Sequence, residues 1–249
     1  MDDPLDIGRP LDPHDHGGSM LNHVTPEMPC PYLPGLRSRS EAYHFDHIDG
    51  AMYEKLIARG FRRSGRVVYR PQCRGCHECR QLRVPVASFA PTKSMRRVVR
   101  RNVDVTMTAA APVETDEKFD IFGRYLDAQH DGLMPRTRDT FVEFLYDSPV
   151  DTIEFTYRLG ERIIGVSIAD RCPDGLSSVY CFFDPDFAAR SLGTLSVTRE
   201  VSYCGDLGLA YYYLGFYIAK CPTMAYKLRF RPNEVLVADG VWSAVDGSV

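Results

Sequence analysis

Three β-strands are predicted in residues 152–183, TIEFTYRLGERIIGVSIADRCPDGLSSVYCFF. Each run is rich in β-branched and aromatic residues, and turn-forming residues separate one run from the next. The predicted strands and the turns between them are Thr152–Leu159, Gly160-Glu161, Arg162–Asp170, Pro173-Asp174-Gly175 and Ser177–Phe183. Because both connections are short, we expect consecutive strands to pair antiparallel and to form a meander.

Helices are predicted on both sides of this meander. One spans Thr115–His130, and a second begins at Thr137 or Asp139 and ends at Tyr146. A further helix, residues 192–207, and an aromatic strand, residues 210–218, follow the meander. This order of elements resembles that of a GNAT-type acyltransferase. We therefore expect an α+β fold with a mixed, largely antiparallel sheet flanked by helices.

The N-terminal part predicts a smaller α+β unit. A helix is expected over residues 49–60, and short strands at 66–70 and 81–86 flank a cysteine loop, which predicts a hairpin-like knuckle. Residues 109–112, Ala-Ala-Ala-Pro, form the best linker candidate. The predicted parts are a flexible leader at 1–19, a cysteine-containing basic domain at 20–110 and a GNAT-like domain at 111–249.

Charge is strongly segregated along the chain. Although the formal net charge is -3, residues 59–103 contain thirteen Lys or Arg and a single acid, Glu78, against seventeen basic and thirty-two acidic residues elsewhere. Such a field favours a polyanionic partner such as a phosphate backbone. The alternative is that these arginines pair with the acidic remainder. Five of the cations recur at helical spacing, and we expect them to contact phosphates: Lys93, Arg96, Arg97, Arg100 and Arg101.

Cysteines form the sharpest local signal. Cys73, Cys76 and Cys79 are evenly spaced in one loop, and Cys30 precedes them in Pro29-Cys30-Pro31-Tyr32. Four thiolates suit tetrahedral zinc or an iron–sulfur cluster, and the spacing does not choose between these metals. His77 is an alternative ligand, and reduced cysteines without metal are another interpretation. The remaining four cysteines are expected in the core.

Composition excludes some classes of protein. The N-terminus is acidic, and no apolar run approaches the roughly 20 residues that span a bilayer. Clustered cysteines fit a reducing compartment better than a disulfide framework. We therefore expect a cytoplasmic protein without membrane partners.

Two further basic groups are candidate anion sites. Arg190 and Ser191 precede the predicted helix at residue 192, where free N–H groups favour an anion, although a plain helix start is equally consistent. Lys227, Arg229 and Arg231 alternate in sequence, so an extended segment would place all three on one face, facing either a carboxylate or phosphate or simply solvent.

Motifs along most of the chain carry a resemblance. The first are Pro29-Cys30-Pro31-Tyr32-Leu33-Pro34-Gly35, residues 60–65 (GFRRSG) and residues 69–79 (YRPQCRGCHEC). The later ones are residues 94–102 (SMRRVVRRN), His130-Asp131-Gly132-Leu133-Met134, Asp184-Pro185, residues 191–193, residues 213–215 and Met224-Ala225-Tyr226-Lys227. Over about residues 28–242 the chain resembles the bacterial leucyl-transferase branch of the aminoacyl-tRNA–protein transferases.

That resemblance implies transfer of leucine from leucyl-tRNA to proteins that begin with Asp or Glu, without an organic cofactor, to create a degradation signal. Arginyl-tRNA remains an alternative donor, because family membership does not fix it. The acyl transfer needs two positioned substrates, help with deprotonation and a stabilised oxyanion. On this view Lys227, Arg229 and Arg231 bind the acceptor carboxylate or the tRNA 3′ end. The polar candidates near the transfer centre are Tyr180, Asp184, Asp186 and Glu200.

Two rival functions come from other classes. A nonenzymatic zinc-knuckle RNA-binding protein would use the basic segment and the cysteines alone, and an acetyl-CoA-dependent N-acetyltransferase would use the acyltransferase fold with another donor. Labelling of an acceptor peptide by charged tRNA or by acetyl-CoA distinguishes all three.

Overall fold

The computed structural model describes residues 23–129 and 135–245. The predicted leader at 1–19 and the motif His130-Asp131-Gly132-Leu133-Met134 lie outside these residues. The described chain mixes helices with a large sheet, so the predicted α+β class is confirmed. In this part of the chain, no helix combines the length and the apolar character needed to cross a bilayer.

Strands are numbered here in chain order. They are β1 (His23–Val24), β2 (Met28–Pro29), β3 (Arg37–Ser38), β4 (Ser40–His44), β5 (Arg62–Ser64), β6 (Val67–Pro71), β7 (Arg80–Pro85), β8 (Val105–Ala110), β9 (Thr152–Leu159), β10 (Arg162–Cys172), β11 (Gly175–Phe183), β12 (Tyr211–Tyr217), β13 (Glu234–Ala238) and β14 (Val241–Ala244). The α-helices are α1 (Gly50–Ala58), α2 (Lys93–Arg101), α3 (Asp116–Gln129), α4 (Arg138–Phe141), α5 (Leu192–Asp206) and α6 (Pro222–Ala225).

Eight strands form the central sheet in the order β14-β13-β7-β12-β11-β10-β9-β8. The predicted meander β9-β10-β11 is confirmed, and its strands pair antiparallel. Only β11 and β12 pair parallel within the described residues. A smaller sheet, β1-β4-β6-β5, and the short pair β2-β3 lie in the N-terminal part.

Helices cover both faces of the central sheet. Adjacent residues of β10 enter different hydrophobic cores: Ile163 packs in the core under α3, whereas Ile164 packs in the core under α5. Since successive strand residues point to opposite faces, α3 and α5 cover opposite sides. Helix α2 packs against α5, and its Met95 is the buried residue of an otherwise largely exposed basic helix.

Helix α1 joins the small sheet to the central sheet. Asp49 caps its N-terminus, because its Oδ1 accepts the backbone N–H of Met52 at 2.8 Å. The helix buries Tyr53, Leu56 and Ile57 in a core that also contains Val68 of the small sheet and Tyr213 of β12. The two sheets therefore share apolar packing through one helix.

Two local predictions are wrong. The strands on either side of the cysteine loop do not form a hairpin: β6 lies in the small sheet, whereas β7 pairs with β12 and β13, because Leu82 and Val84 are buried in the central core. Residues 226–229 form a 3₁₀ turn rather than an extended segment, since Leu228 and Phe230 both pack against that core.

The predicted linker at residues 109–112 begins inside a strand. Ala109 pairs with Phe155 and Ala110 with Glu154, so β8 continues to the edge of the central sheet. That sheet takes β7 and β8 from the N-terminal side of residue 110 and its other six strands from the C-terminal side. The division into domains at residue 110 stays a prediction, and the sheet does not separate there.

Candidate functional site

Strands β11 and β12 pair over only part of their length. The paired residues are Gly175 with Tyr211, Leu176 with Tyr212 and Ser177 with Tyr213. Both strands continue beyond these pairs, β11 to Phe183 and β12 to Tyr217. Beyond Ser177, β12 keeps its hydrogen bonds to β7 on its other side. A gap therefore opens between two adjacent strands in the middle of the sheet, where a ligand can reach backbone groups that a continuous sheet would use.

The guanidinium of Arg62, from β5, occupies the start of this gap. Its Nη1 donates to Ser177 Oγ at 2.7 Å, and its Nη2 donates to the carbonyl of Ser178. Across the gap, Gly215 has a φ of 75° beside a register shift in β12. A Cβ on Gly215 would lie 3.0 Å from the guanidinium carbon, so glycine is needed for both the backbone conformation and the close approach.

Lys227 lies on the 3₁₀ turn after β12, next to Arg62. Its Nζ donates to the carbonyl of Phe216 at 2.7 Å, and the residue is part-buried. Burial and the nearby Arg62 charge lower the pKa of Lys227 to about 7, although Cys221 acts in the other direction. The ammonium is therefore a titratable cation at neutral pH in a low-polarity setting.

Aromatic side chains pack on the part of β11 that does not pair with β12. Tyr125 of α3 meets Tyr180 of β11 edge-on, with ring centroids 6.2 Å apart. Burial raises the pKa of Tyr125, and Cys181, Tyr180 and Tyr226 add to that rise, so these side chains are close neighbours. Burial also raises the pKa of the Cys181 thiol to about 12, which leaves it a poor nucleophile at neutral pH.

Glu200, predicted near the transfer centre, lies in the core with 0% exposure. Tyr157 donates to its Oε1 at 2.8 Å, and Ser167 and Tyr212 donate to its Oε2 at 3.2 and 2.5 Å. Burial raises the pKa of Glu200, and these three hydrogen bonds oppose the rise. This setting is that of a structural network, and a catalytic role for Glu200 stays a prediction.

Asp184 and Asp186 occupy a charged corner at the end of β11. Asp184 is buried and pairs with Arg124 at 2.8 Å and Arg162 at 2.5 Å, while its Oδ1 accepts the backbone N–H of Asp186. Asp186 is exposed and also pairs with Arg124 at 2.7 Å. Both carboxylates are neutralised by arginines, so their predicted part in the reaction rests on the sequence alone.

The predicted anion site before α5 already holds protein partners. Arg190 forms a bidentate ion pair with Asp104, at 2.9 and 3.0 Å. Ser191 adopts a left-handed conformation with φ 58°, and its side chain makes no capping hydrogen bond. This helix start is anchored to the end of α2, and its role in anion binding stays a prediction.

The five cations of α2 are exposed, as their helical spacing predicted. Two of them contact backbone oxygens: Arg96 donates to the carbonyl of Pro91, and Arg101 donates to the carbonyl of Ala189 at 2.6 Å. Thr92 caps the helix through its Oγ1, which accepts the N–H of Met95 at 3.3 Å. The helix thus presents a dense positive surface that a polyanion can reach.

Three of the four predicted metal ligands lie in one apolar cluster. Cys30, Cys76 and Cys79 pack with Cys221 in one cluster, and every one of these cysteines is a free thiol. Burial raises the pKa of Cys79 to about 12, and Cys30, Cys73, Cys76 and Cys221 add to the rise. Cys73 itself lies against the carbonyl of Arg39, with Sγ 3.6 Å from the oxygen.

The chemistry of this donor set fits zinc or an iron–sulfur cluster, since all four predicted ligands are soft thiols. Over residues 23–129 and 135–245, however, no three His, Cys, Asp or Glu side chains converge closely enough to hold a metal ion. An open depression of about 660 Å³ adjoins the thiols and is lined in part by His77, Glu78 and Lys220. The metal stays a prediction.

The sequence pattern does not predict that Arg62, a residue of the GFRRSG motif, lies in this region. Cys221 is a core residue as predicted, and its packing against Cys30, Cys76 and Cys79 is the part that the sequence does not predict. The glycine in the middle of β12 was the one available signal, because such a glycine marks the close approach of another group. Arg229 and Arg231, by contrast, are exposed and donate to carbonyls of their own turn, at 3.2 Å each.

Comparison with known proteins gives consistent matches. The model of the arginine-tRNA-protein transferase N terminus matches residues 28–97, and that of its C terminus matches residues 117–237. Aspartate/glutamate leucyltransferase of Gluconacetobacter diazotrophicus is 39% identical over 91% of this chain and 88% of its own length. The Ruegeria pomeroyi protein of the same name is 38% identical over 90% of this chain and 83% of its own.

Solved structures are similar in part. FemX has a TM-score of 0.43 and 11% identity over 71% of this chain and 63% of its own. The L-PGS structure from Bacillus licheniformis has a TM-score of 0.42 and 10% identity over 56% of this chain and 45% of its own. The two family models and the curated relatives together cover most of the sequence. The chain belongs to the arginine-tRNA-protein transferase family.

Proposed function

We propose that this protein transfers leucine from leucyl-tRNA to the N-terminal amine of proteins that begin with Asp or Glu. Relatives named aspartate/glutamate leucyltransferase support the donor and the acceptors. The structural observation that carries the proposal is the gap between β11 and β12, bordered by the cations Arg62 and Lys227. An extended acceptor N-terminus can enter between the strands, with its acidic side chain near the cations.

The reaction converts an ester into an amide. The neutral α-amine of the acceptor attacks the carbonyl carbon of the leucyl ester, a C–N bond forms, the C–O bond to the tRNA ribose breaks, and the ribose hydroxyl takes up a proton as the amine loses one. The chemistry needs no oxidant and no separate acyl carrier. Protein groups contribute mainly by holding two large substrates at one carbonyl and by excluding water.

The donor tRNA would lie across α2. Its exposed cations neutralise phosphates without reading base sequence, so this surface supplies affinity and orientation. Helix α2 packs against α5, whose other neighbours include β11 and β12, so the tRNA body and the gap lie on connected elements. The product begins with leucine and would act as a degradation signal in the cytoplasm, where charged tRNA is present.

A structural metal at Cys30, Cys73, Cys76 and Cys79 is a separate part of the proposal. Zinc or an iron–sulfur cluster would there hold the β2–β3 segment against the cysteine loop, and it would supply no group to the acyl transfer. Cys221 packs with Cys30, Cys76 and Cys79 and also lies near Lys227. Loss of the metal would therefore disturb the region that holds Lys227.

A donor-by-acceptor assay tests the proposal. Purified protein with labelled leucyl-tRNA is expected to label a peptide that starts with Asp or Glu and to leave the matched Ala peptide unlabelled. Labelling only with arginyl-tRNA would move the proposal to that donor. Labelling by acetyl-CoA alone would identify an acetyltransferase, and tRNA binding without any labelling would identify an RNA-binding protein.

A further inference from the structure

Arg62 is a buried cation whose side-chain hydrogen bonds, within residues 23–129 and 135–245, all go to neutral groups. Its side chain donates to a serine hydroxyl and a backbone carbonyl, and the residue is 7% exposed. Its neighbour Arg63, equally buried, instead forms a bidentate pair with Asp170 at 2.8 Å for both bonds. A guanidinium has five N–H donors, so Arg62 keeps donors for another acceptor. Burying such a charge without an anion is costly, which makes its position informative.

Lys227 repeats this pattern a short distance away. Its Nζ donates to a carbonyl, and the positive charge of Arg62 is one cause of its lowered pKa. Within the described ranges, neither Arg62 nor Lys227 forms an ion pair with a carboxylate. Two neighbouring cations without an anion repel each other, and a bound carboxylate would stabilise both.

An unused acceptor lies in the same region. Gln81 of β7 is 1% exposed, and its Nε2 donates at 2.6 Å to the carbonyl of Phe61, the residue before Arg62. Its Oε1 has no hydrogen-bond partner among the described residues. A buried acceptor without a donor is rare and indicates a missing partner. Gln81 also pairs in register with Phe216, whose carbonyl binds Lys227.

The three groups together are complementary to one kind of ligand. A carboxylate satisfies the cations Arg62 and Lys227, and an N–H donor satisfies Gln81. The N-terminal residue of a protein that begins with Asp or Glu carries both groups on one Cα: the amine is bonded to it directly, and the side-chain carboxylate is attached through a short methylene chain. A phosphate of the tRNA would satisfy the cations and leave Gln81 without a donor.

We propose that Arg62 and Lys227 bind the side-chain carboxylate of the acceptor's N-terminal Asp or Glu, with Gln81 oriented toward its amine. This inference rests on the proposed transferase function and assigns the residues that select the acceptor. Arg229 and Arg231 are not part of this site, because both are exposed and hydrogen-bonded within their own turn. The gap then explains why β12 carries glycine at position 215: the arginine that selects the acceptor passes over it.

Two variants test the site with a matched acceptor pair. Arg62→Gln and Lys227→Met are measured with peptides that begin with Asp or with its neutral isostere Asn. The wild type is expected to prefer the Asp peptide, and each variant is expected to lower the Asp-to-Asn ratio of kcat/KM by about tenfold or more, as for loss of a charge-assisted bond. The KM for leucyl-tRNA is expected to stay within about twofold, and Lys227→Arg should restore the preference.

Arg83→Gln is the control, because it alters a part-buried arginine that already has a carboxylate partner, Glu234, at 2.7 Å. It is expected to lower thermal stability and to leave the Asp-to-Asn ratio unchanged. If Arg62→Gln does not fold, the part-buried Lys227 variants carry the test. An unchanged ratio in an active Lys227→Met enzyme, or a raised KM for leucyl-tRNA instead, overturns the inference. Failure of the wild type to label any acidic peptide would instead overturn the proposed function.

Discussion

Arg63 and Asp170 join the small sheet to the central sheet through a fully buried bidentate ion pair. Both side chains have 0% exposure, and Nε and Nη2 each lie 2.8 Å from a carboxylate oxygen. Thr152 also donates to Asp170 Oδ1 at 2.9 Å. Strands β5 and β10 belong to different sheets, and β5 carries both Arg62 and Arg63. The ion pair therefore fixes the position of Arg62 relative to β11.

Breaking the pair from one side should be strongly destabilising. Arg63→Met leaves Asp170 buried without its cation, and a loss of about 3–5 kcal/mol in the free energy of unfolding is expected. The double variant Arg63→Met/Asp170→Leu should recover much of that loss, because no charge is then left unpaired. Urea unfolding of the wild type, the single variants Arg63→Met and Asp170→Leu, and the double variant measures the coupling between the two side chains. Additive losses would show that the pair does not act as a unit.

Replacing the basic surface of α2 should weaken tRNA binding uniformly. The variant Arg96→Gln/Arg97→Gln/Arg100→Gln/Arg101→Gln is expected to raise the KM for charged tRNA and to reduce the slope of log affinity against log salt by roughly one for each lost phosphate contact. Lys55→Gln, an exposed lysine on α1, serves as control and should leave the slope unchanged. A salt slope equal to that of the wild type would exclude this surface.

Local patterns predicted the meander, the basic helix and most element bounds, because strand alternation and helical spacing are properties of neighbouring residues. The partners of Arg62 and Arg63 could not be predicted in this way. Ser177 and Asp170 lie more than a hundred residues away in the chain, and two adjacent arginines on one strand give no sign that only one meets a carboxylate. The alternation of charges also does not predict the 3₁₀ turn at residues 226–229, since burial of Leu228 and Phe230 determines the backbone conformation there.

Glu200→Gln distinguishes a structural from a catalytic carboxyl. Burial raises the pKa of Glu200 above its ordinary value of 4.5, so the folded protein holds this proton more tightly than the unfolded chain. Stability from this group is therefore present below about pH 4.5 and is lost as pH rises toward the folded-state pKa. The neutral variant should accordingly gain stability relative to the wild type between pH 4 and pH 8.

Urea unfolding across that range measures the effect, and a difference that does not change with pH would contradict it. The same variant tests the predicted catalytic role of Glu200. A general base should cost about 100-fold or more in turnover when removed, without a matching loss of stability. Turnover near that of the wild type would leave Glu200 in the structural network alone.

Cys76→Ser tests the predicted metal. Protein purified without oxygen is expected to contain zinc or iron, measured by elemental analysis, and the variant should lose most of it together with stability. An absorption spectrum distinguishes an iron–sulfur cluster from zinc. Cys181→Ser, outside the cluster, should leave the metal content unchanged. Metal-free wild type, or equal stability and activity of Cys76→Ser, would refute the metal site.

Acceptor binding should weaken as pH rises through the pKa of Lys227. Burial, together with the nearby Arg62 charge, lowers this pKa to about 7 in the free protein, while a bound carboxylate would keep the ammonium charged. If the bound state stays protonated, the Kd for a peptide that begins with Asp should rise about tenfold between pH 6 and pH 8. Calorimetric titration measures this binding without turnover, and the Asn peptide corrects for titration of the acceptor amine. In Lys227→Arg the charge does not titrate in this range, so the Asp-specific pH dependence should disappear. The same tenfold change in that variant would mean that another group controls acceptor binding.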